Sequence, residues 1–144
     1  MSPQMYAIPR RRHSEVILTV NLCTQDYHFL STVFRNLPWR LASVATMAQG
    51  VRQAKSQSVP VIVCERDLPG GSWKLLLDRV RRLTQPPLLI VASRLADERL
   101  WAEVLNLGGH DVLATPFDAD EVYRVVSCAV DSWHFQVDAK AKYG

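Results

Sequence analysis

The chain lacks any long apolar run. Its longest stretches of consecutive apolar residues are about five, whereas a bilayer-spanning helix needs about 20, so no membrane crossing is expected. No apolar stretch near the N-terminus has the character of a signal peptide. Cysteine is scarce as well: there are three, Cys23, Cys64 and Cys128. An odd number without metal-type spacing excludes a disulfide framework and a zinc site, and reads as buried free thiols in a reducing cytoplasm. His13, His28, His110 and His134 are scattered without ligand spacing, so no metal site is expected. Neither a Gly-x-Gly-x-x-Gly nor a Walker pattern is present to cradle phosphates. No Ser-His-Asp or Cys-His pair falls at comparable strand ends, so nothing marks an enzyme.

A one-signed domain surface is also missing. The basic excess, 17 Lys and Arg over 14 Asp and Glu, is accounted for by Arg10, Arg11 and Arg12 in a segment without acids. The remainder is balanced, and a nucleic-acid footprint needs a clustered positive face. Nucleic acid is therefore not an expected partner, and residues 1–14 read as a flexible basic tail. At 144 residues the chain suffices for one domain with a real core. It leaves no room for a separate output domain.

What is present is organised around Val59 to Trp73. The apolar run Val59 to Val63 reads as a strand buried on both faces, closed by Pro69-Gly70-Gly71. At its end the composition flips to Glu65, Arg66 and Asp67. A helical stripe then follows on Trp73, Leu76, Leu77, Val80 and Leu83. In an open parallel sheet, ligand chemistry collects at such carboxyl ends of strands.

Four more units repeat the pattern. Val16 to Val20 is a strand followed by a helix from about Gln25 to Asn36, and Trp39 to Val44 is a shorter strand nearer the sheet edge. Thr46 caps a helix to about Ser56. Leu88 to Ala92 leads to Ser93 and a helix over Asp97–Leu107, which Gly108-Gly109 ends. Asp111 to Ala114 precedes a last helix opened by Asp118 and Glu121 in capping-box spacing. Five strands alternating with five helices on short linkers predict an α/β, doubly wound (βα)5 fold with a parallel sheet. The domain is expected over 15–137, with 138–144 a polar tail.

In these residues the chain resembles the receiver domain of bacterial response regulators, the CheY-like, flavodoxin-like fold, from about Glu15 to Trp133. The likeness rests on Glu65 followed by Leu68-Pro69-Gly70, on Ser93 at a strand end, on Leu107-Gly108-Gly109, and on the pair Pro116-Phe117. It implies a five-stranded sheet of order 2-1-3-4-5. In that family an acid pair and an aspartate hold Mg²⁺, the aspartate accepts a phosphoryl group, and a Ser/Thr and a Lys read it.

Carried over position by position, the acid pair falls on Asn21 and Leu22, the phosphoacceptor on Glu65, the hydroxyl on Ser93 and the lysine on Thr115. The switch aromatic falls on Val112, and Asp67 lies in the adjacent loop. Mg²⁺ favours octahedral oxygen coordination with one or two carboxylates, and here Leu22 offers no ligand. The resemblance therefore implies a degenerate pseudo-receiver, a stand-alone, non-enzymatic module of two-component-type signalling in the cytoplasm, acting without phosphorylation and without a cofactor. Glu65 would supply a fixed charge or an ion pair with Arg66 or Arg94, and Ser93 could donate a hydrogen bond to it.

The alternative is a phosphotransfer-competent receiver that still binds Mg²⁺, with Asp26 supplying a missing acid. A flavin- or nucleotide-binding module of this fold stands further off, for want of a phosphate loop. Partners implied by the resemblance are proteins, a histidine kinase or a downstream signalling protein. They would meet the face of the fourth helix, fifth strand and fifth helix, carrying Arg99, Trp101, Glu103 and Tyr123. Homodimerisation through that same face is also implied.

Overall fold

Continuous β-branched runs demand burial on both sides, and the chain provides it by laying helices over both faces of one sheet. The structure, a computed structural model, describes residues 15–143. The expected tail over 1–14 lies outside the described residues. The strands are β1 (Val16–Val20), β2 (Arg40–Val44), β3 (Val61–Glu65), β4 (Leu88–Ser93) and β5 (Asp111–Ala114). The helices are α1 (Thr24–Phe34), α2 (Met47–Ser56), α3 (Trp73–Val80), α4 (Glu98–Leu107) and α5 (Ala119–Tyr143). A two-residue hairpin, Asp67–Leu68 against Gly71–Ser72, sits between β3 and α3.

The sheet is parallel throughout, in the order β2-β1-β3-β4-β5. This is the expected flavodoxin-like arrangement. Alternation along each strand divides the core in two. Val16, Leu18 and Val20 of β1 join Ile62 and Cys64 of β3 beneath Met47, Trp73, Leu76 and Leu100. Ile17, Val61 and Val63 face the opposite side, against Leu30 and Phe34 of α1 and Val122 and Val126 of α5. A one-residue slip in any strand would exchange these faces, so the register is strongly specified. No helix of the described residues is long and apolar enough to cross a membrane.

Local chemistry sets the element ends. Thr46 Oγ1 accepts the Gln49 N–H at 3.2 Å while Gln49 Oε1 accepts the Thr46 N–H at 3.1 Å, a reciprocal cap. Asp97 Oδ1 accepts the Leu100 N–H at 2.9 Å and opens α4. Gly108, at φ 103°, closes α4 in the left-handed conformation that glycine adopts without strain. A Cβ on Gly109 would fall 2.5 Å from Val104 Cγ1, so that position too has no room for a side chain.

Three expectations need correction. The central strand starts at Val61, not Val59. Pro60 has no N–H for the ladder, although its carbonyl accepts from Leu88 N at 2.8 Å. The strand therefore extends to Glu65 itself. The polar tail expected over 138–144 is, through Tyr143, the end of α5. Alanine and lysine are strong helix formers, Lys140 and Lys142 suit the negative end of the helix dipole, and Lys140 Nζ donates to the Thr84 carbonyl at 3.1 Å. Of the three free thiols, Cys64 alone is buried; Cys23 and Cys128 are exposed.

Candidate functional site at the carboxyl end of the sheet

The loops after β1, β3, β4 and β5 bring the expected site residues to one end of the sheet. Asn21 leaves β1 at φ 61°, a left-handed conformation that asparagine tolerates better than most residues. From there its Nδ2 donates to the Asp67 carbonyl at 3.4 Å, tying the first loop to the third. Leu22 beside it is half-buried and packs on the α1–α5 side of the core.

Glu65 ends β3 half-exposed, level with Ala92 of β4. Burial pushes its carboxyl above the ordinary carboxylate range, and the negative charges of Asp26 and Asp67 push it further. The backbone N–H of Arg66 and the Arg94 cation act against this. The expected ion pair with Arg66 does not form. Arg66 Nη2 instead meets Asp67 Oδ2 at 3.3 Å, because the hairpin turns both side chains outward into solvent. Arg94 acts on Glu65 by its field alone and is the weakest of these influences. Asp26, in the first turn of α1, is the acidic neighbour with the stronger effect, and its place after the first loop is the sequence signal for it.

Ser93 is buried, and its Oγ accepts the Leu95 N–H at 3.0 Å. Among the described residues no hydrogen bond joins it to Glu65, because the hydroxyl organises the turn from β4 into α4. Thr115 is also buried, and its N–H donates to the Ser93 carbonyl at 3.1 Å, extending the β4–β5 ladder. Val112 is buried among Leu100 and Val104 of α4. Cys64 points away from Glu65 into the core, where burial drives its thiol far up and leaves it unreactive.

At the expected Mg²⁺ ligand positions the donor set is thin: Asn21 offers an amide oxygen, Leu22 carries no donor atom, and Glu65 is the one carboxylate. Among the described residues no three His, Cys, Asp or Glu side chains converge to hold a metal.

The sign of the Glu65 shift gives a testable consequence. Its folded-state pKa is raised, so its contribution to stability is fully present below the unfolded pKa, about 4.3 for glutamate. That contribution is lost as pH rises through the folded value. Glu65→Gln, which cannot ionise, should therefore be more stable than wild type at neutral pH. The advantage should shrink as pH falls toward the glutamate range, read from urea midpoints across pH. A variant less stable at pH 7 would mean that the charge is compensated.

The expected interface residues do not form one patch. Trp101 is 49% exposed, and its Nε1 donates to Asp111 Oδ1 at 3.3 Å. It borders an open groove of about 440 Å³ between α4, β5 and α5, with Val112, Ala114 and Arg124 on the other walls. Arg99 and Glu103 belong to the other flank of α4, where they share a groove with Arg66 and Leu95. Glu103 is tied across to α3 by Lys74 at 2.8 Å. Tyr123 is 55% exposed and lies by position on the outer groove of α5. A helical wheel separates these flanks, but which neighbour each flank meets is decided by the sheet order.

Comparison with solved structures places the fold. The chain is similar to the signal receiver domain of an HD domain-containing protein from Pseudomonas fluorescens Pf-5, with a TM-score of 0.78 at 22% identity, covering 92% of this chain and 96% of that one. It is similar to the beryllofluoride-activated NtrC4 receiver domain dimer, with a TM-score of 0.74 at 18% identity, over 83% and 98% of the two chains. The receiver domain of a sensor histidine kinase from Pseudomonas aeruginosa PAO1, solved with a magnesium ion in its active-site cleft, gives 0.68 at 23% identity, over 82% and 98%. No family model matches the sequence, and no curated protein matches it. The structural neighbours are response-regulator receiver domains, and this chain has their CheY-like fold.

Proposed function

We propose that the protein is a pseudo-receiver: a non-enzymatic, cytoplasmic module of two-component-type signalling that works through protein contacts without accepting a phosphoryl group. The observation that carries this reading is Glu65. It ends β3 at the phosphoacceptor position, its carboxyl raised by burial and by its acidic neighbours Asp26 and Asp67. Asn21 and Leu22 supply no second carboxylate and Thr115 no cation. Phosphoryl transfer depends on positioning and on neutralising charge at the transferred group, and this pocket has acids where cations are needed. Glu65 instead places a carboxyl that needs no kinase where a phosphoryl group would carry about −1.5 to −2.

The α4–β5–α5 side is the recognition surface in this proposal. Trp101 and its groove suit a protein partner, a histidine kinase or a downstream signalling protein, because an exposed tryptophan beside a groove is a frequent anchor. Self-association of the chain belongs to the same side, with α5 as the self-contact and the Trp101 groove left to the other partner.

The test is an NMR titration of labelled protein with Mg²⁺ and then with Mg²⁺ plus beryllofluoride, a phosphoryl mimic. The expected result is no saturable shift at Asn21, Glu65, Asp67, Ser93 or Thr115. Saturable shifts focused on those amides would overturn the proposal in favour of a phosphotransfer-competent receiver. Binding of a partner should be lost in Trp101→Ala and kept in Glu65→Gln if the charge is not read.

A further inference from the structure

A cavity of about 330 Å³ opens at the amino ends of β3 and β4, the end of the sheet opposite Glu65. Its walls are the end of α2 with the link to β3, the link from α3 to β4, and Trp133 of α5. That volume is at the small end of ligand pockets, which run from about 300 to 1,000 Å³. Among the described residues its lining holds two cations, Lys55 and Arg82, and no acid. The groove beside Trp101 has the opposite character, with Asp97, Glu98, Asp111 and Glu121 in its walls.

Helix dipoles account for part of this, since Lys55 stands in the last turn of α2, where a cation complements the negative end. They do not account for donors left unused. Arg81 is occupied, its Nη2 donating to the Leu107 carbonyl at 2.6 Å, and Lys140 donates to the Thr84 carbonyl at 3.1 Å. Lys55, by contrast, has no hydrogen-bond or ion-pair partner among the described residues. Arg82 Nη2 meets Asp78 Oδ2 at 3.2 Å in an exposed pair, a kind worth little, and its guanidinium has further N–H groups to give. Trp133 is an independent sign. It is 5% exposed, and its buried indole N–H has no acceptor among the described residues. A buried donor in that state is costly and rare in folded proteins.

The surplus of donors selects the ligand. A carboxylate brings one charge and two acceptor oxygens, whereas a phosphate monoester brings about −1.5 to −2 near pH 7 and three. The hydroxyls of Ser58 and Thr84 extend the donor set, and Leu83 with the indole gives apolar surface beside it. We propose that this cavity binds a small phosphate monoester with an apolar body, of mononucleotide size or less. Lys55 and Arg82 hold the phosphate, and the Trp133 N–H takes an acceptor of the ligand. The site lies at the other end of the sheet from Glu65 and goes beyond the signalling reading of that residue. Because its walls come from segments remote in sequence, an occupant also ties α5 to the links before β3 and β4.

An NMR titration of the labelled full chain with adenosine monophosphate, in the absence of Mg²⁺, tests it. Saturable shifts are expected at the amides of residues 55–59 and 82–85 and at the Trp133 indole N–H, a signal identified by its loss in Trp133→Phe. Adenosine, which lacks the phosphate, and inorganic phosphate, which lacks the body, should each bind about tenfold more weakly. Lys55→Glu and Arg82→Glu, both at exposed positions, should each weaken binding of the nucleotide about tenfold or more. Trp133→Phe, which keeps the bulk and loses the donor, should weaken it about three- to tenfold. Glu65→Gln should leave it unchanged. A spectrum unresponsive to millimolar adenosine monophosphate, or binding indifferent to Lys55→Glu and Arg82→Glu, would overturn the proposal. Inorganic phosphate bound as tightly as the nucleotide would overturn the assignment of an apolar body. Shifts confined to Asn21, Glu65 and Ser93 would overturn this site and place the anion in the receiver pocket instead, so the two readings fail separately.

Discussion

Replacing His134 by alanine should cost about 3–5 kcal/mol of stability, the loss typical when one partner of a buried polar pair is removed. His134 Nε2 lies 3.0 Å from Glu15 Oε1 across 119 positions of chain. The two residues are 8% and 3% exposed, in the same order. An imidazole N–H at that distance donates to the carboxylate and joins the residue before β1 to α5. The backbone of Glu15 also accepts the Arg40 N–H at 3.0 Å, so the same residue anchors the edge strand β2. Alanine would leave a buried carboxyl without its imidazole partner, at the end of the sheet opposite Glu65. Urea denaturation should show a lowered midpoint with an unchanged slope. His134→Gln, which retains a donor, should lose less. A His134→Ala midpoint equal to wild type would mean that water or another group takes the vacated place.

Trp73→Ala should be comparably severe, about 3–5 kcal/mol for an aromatic truncated to alanine in a core. A domain is stable by about 5–15 kcal/mol, so either change removes a large fraction of the total. Trp73 is fully buried and is the first residue of α3. Its N–H donates to the Arg66 carbonyl at 3.0 Å, and Ser72 Oγ caps the helix by accepting the Lys74 N–H at 3.2 Å. Both bonds use backbone N–H groups and survive in Trp73→Ala; the indole itself fills the core that it shares with Leu68 of the hairpin. Denaturation would give the stability loss. Amide exchange should in addition be faster at Asp67, Leu68 and Gly71 than in an equally destabilised core variant such as Leu113→Ala. Uniform acceleration would mean that Trp73 acts through packing alone.

These two residues differ in how far they could be read beforehand. Trp73 opens a visible helical stripe straight after a Pro-Gly turn, so its burial follows from spacing. His134 was a scattered histidine in the sequence, and its partner is at the other end of the chain. No local pattern connects them; only the packing of α5 across the sheet does.

The carboxyl-end site divides in the same way. That Asn21, Glu65, Ser93 and Thr115 would share one end of the sheet followed from the receiver resemblance, carried over position by position onto the strand ends. Their bonds did not. Ser93 turned to the Leu95 N–H, Arg66 to Asp67, and Asn21 to the Asp67 carbonyl. Short polar side chains at strand ends choose among several donors within a few ångströms, and that choice depends on loop geometry that composition does not carry. Likewise, Arg99 and Trp101 are two positions apart on α4 yet face different neighbours.

The amino-acid order alone determined the five strand–helix units, the two-faced burial of the central strands, the caps at Thr46, Asp118 and Gly108, and the absence of a lysine and of an acid pair at the positions that the resemblance assigns. These depend on periodicity, capping and residue identity, all of which act over a turn or two of chain. The tertiary structure alone decided the balance of charges that act on the Glu65 carboxyl, that Glu15 would need His134, and that Tyr123 and Phe135 would face solvent. Fields, buried partners and exposure depend on distances between segments remote in sequence, and those distances exist only once the sheet has been assembled.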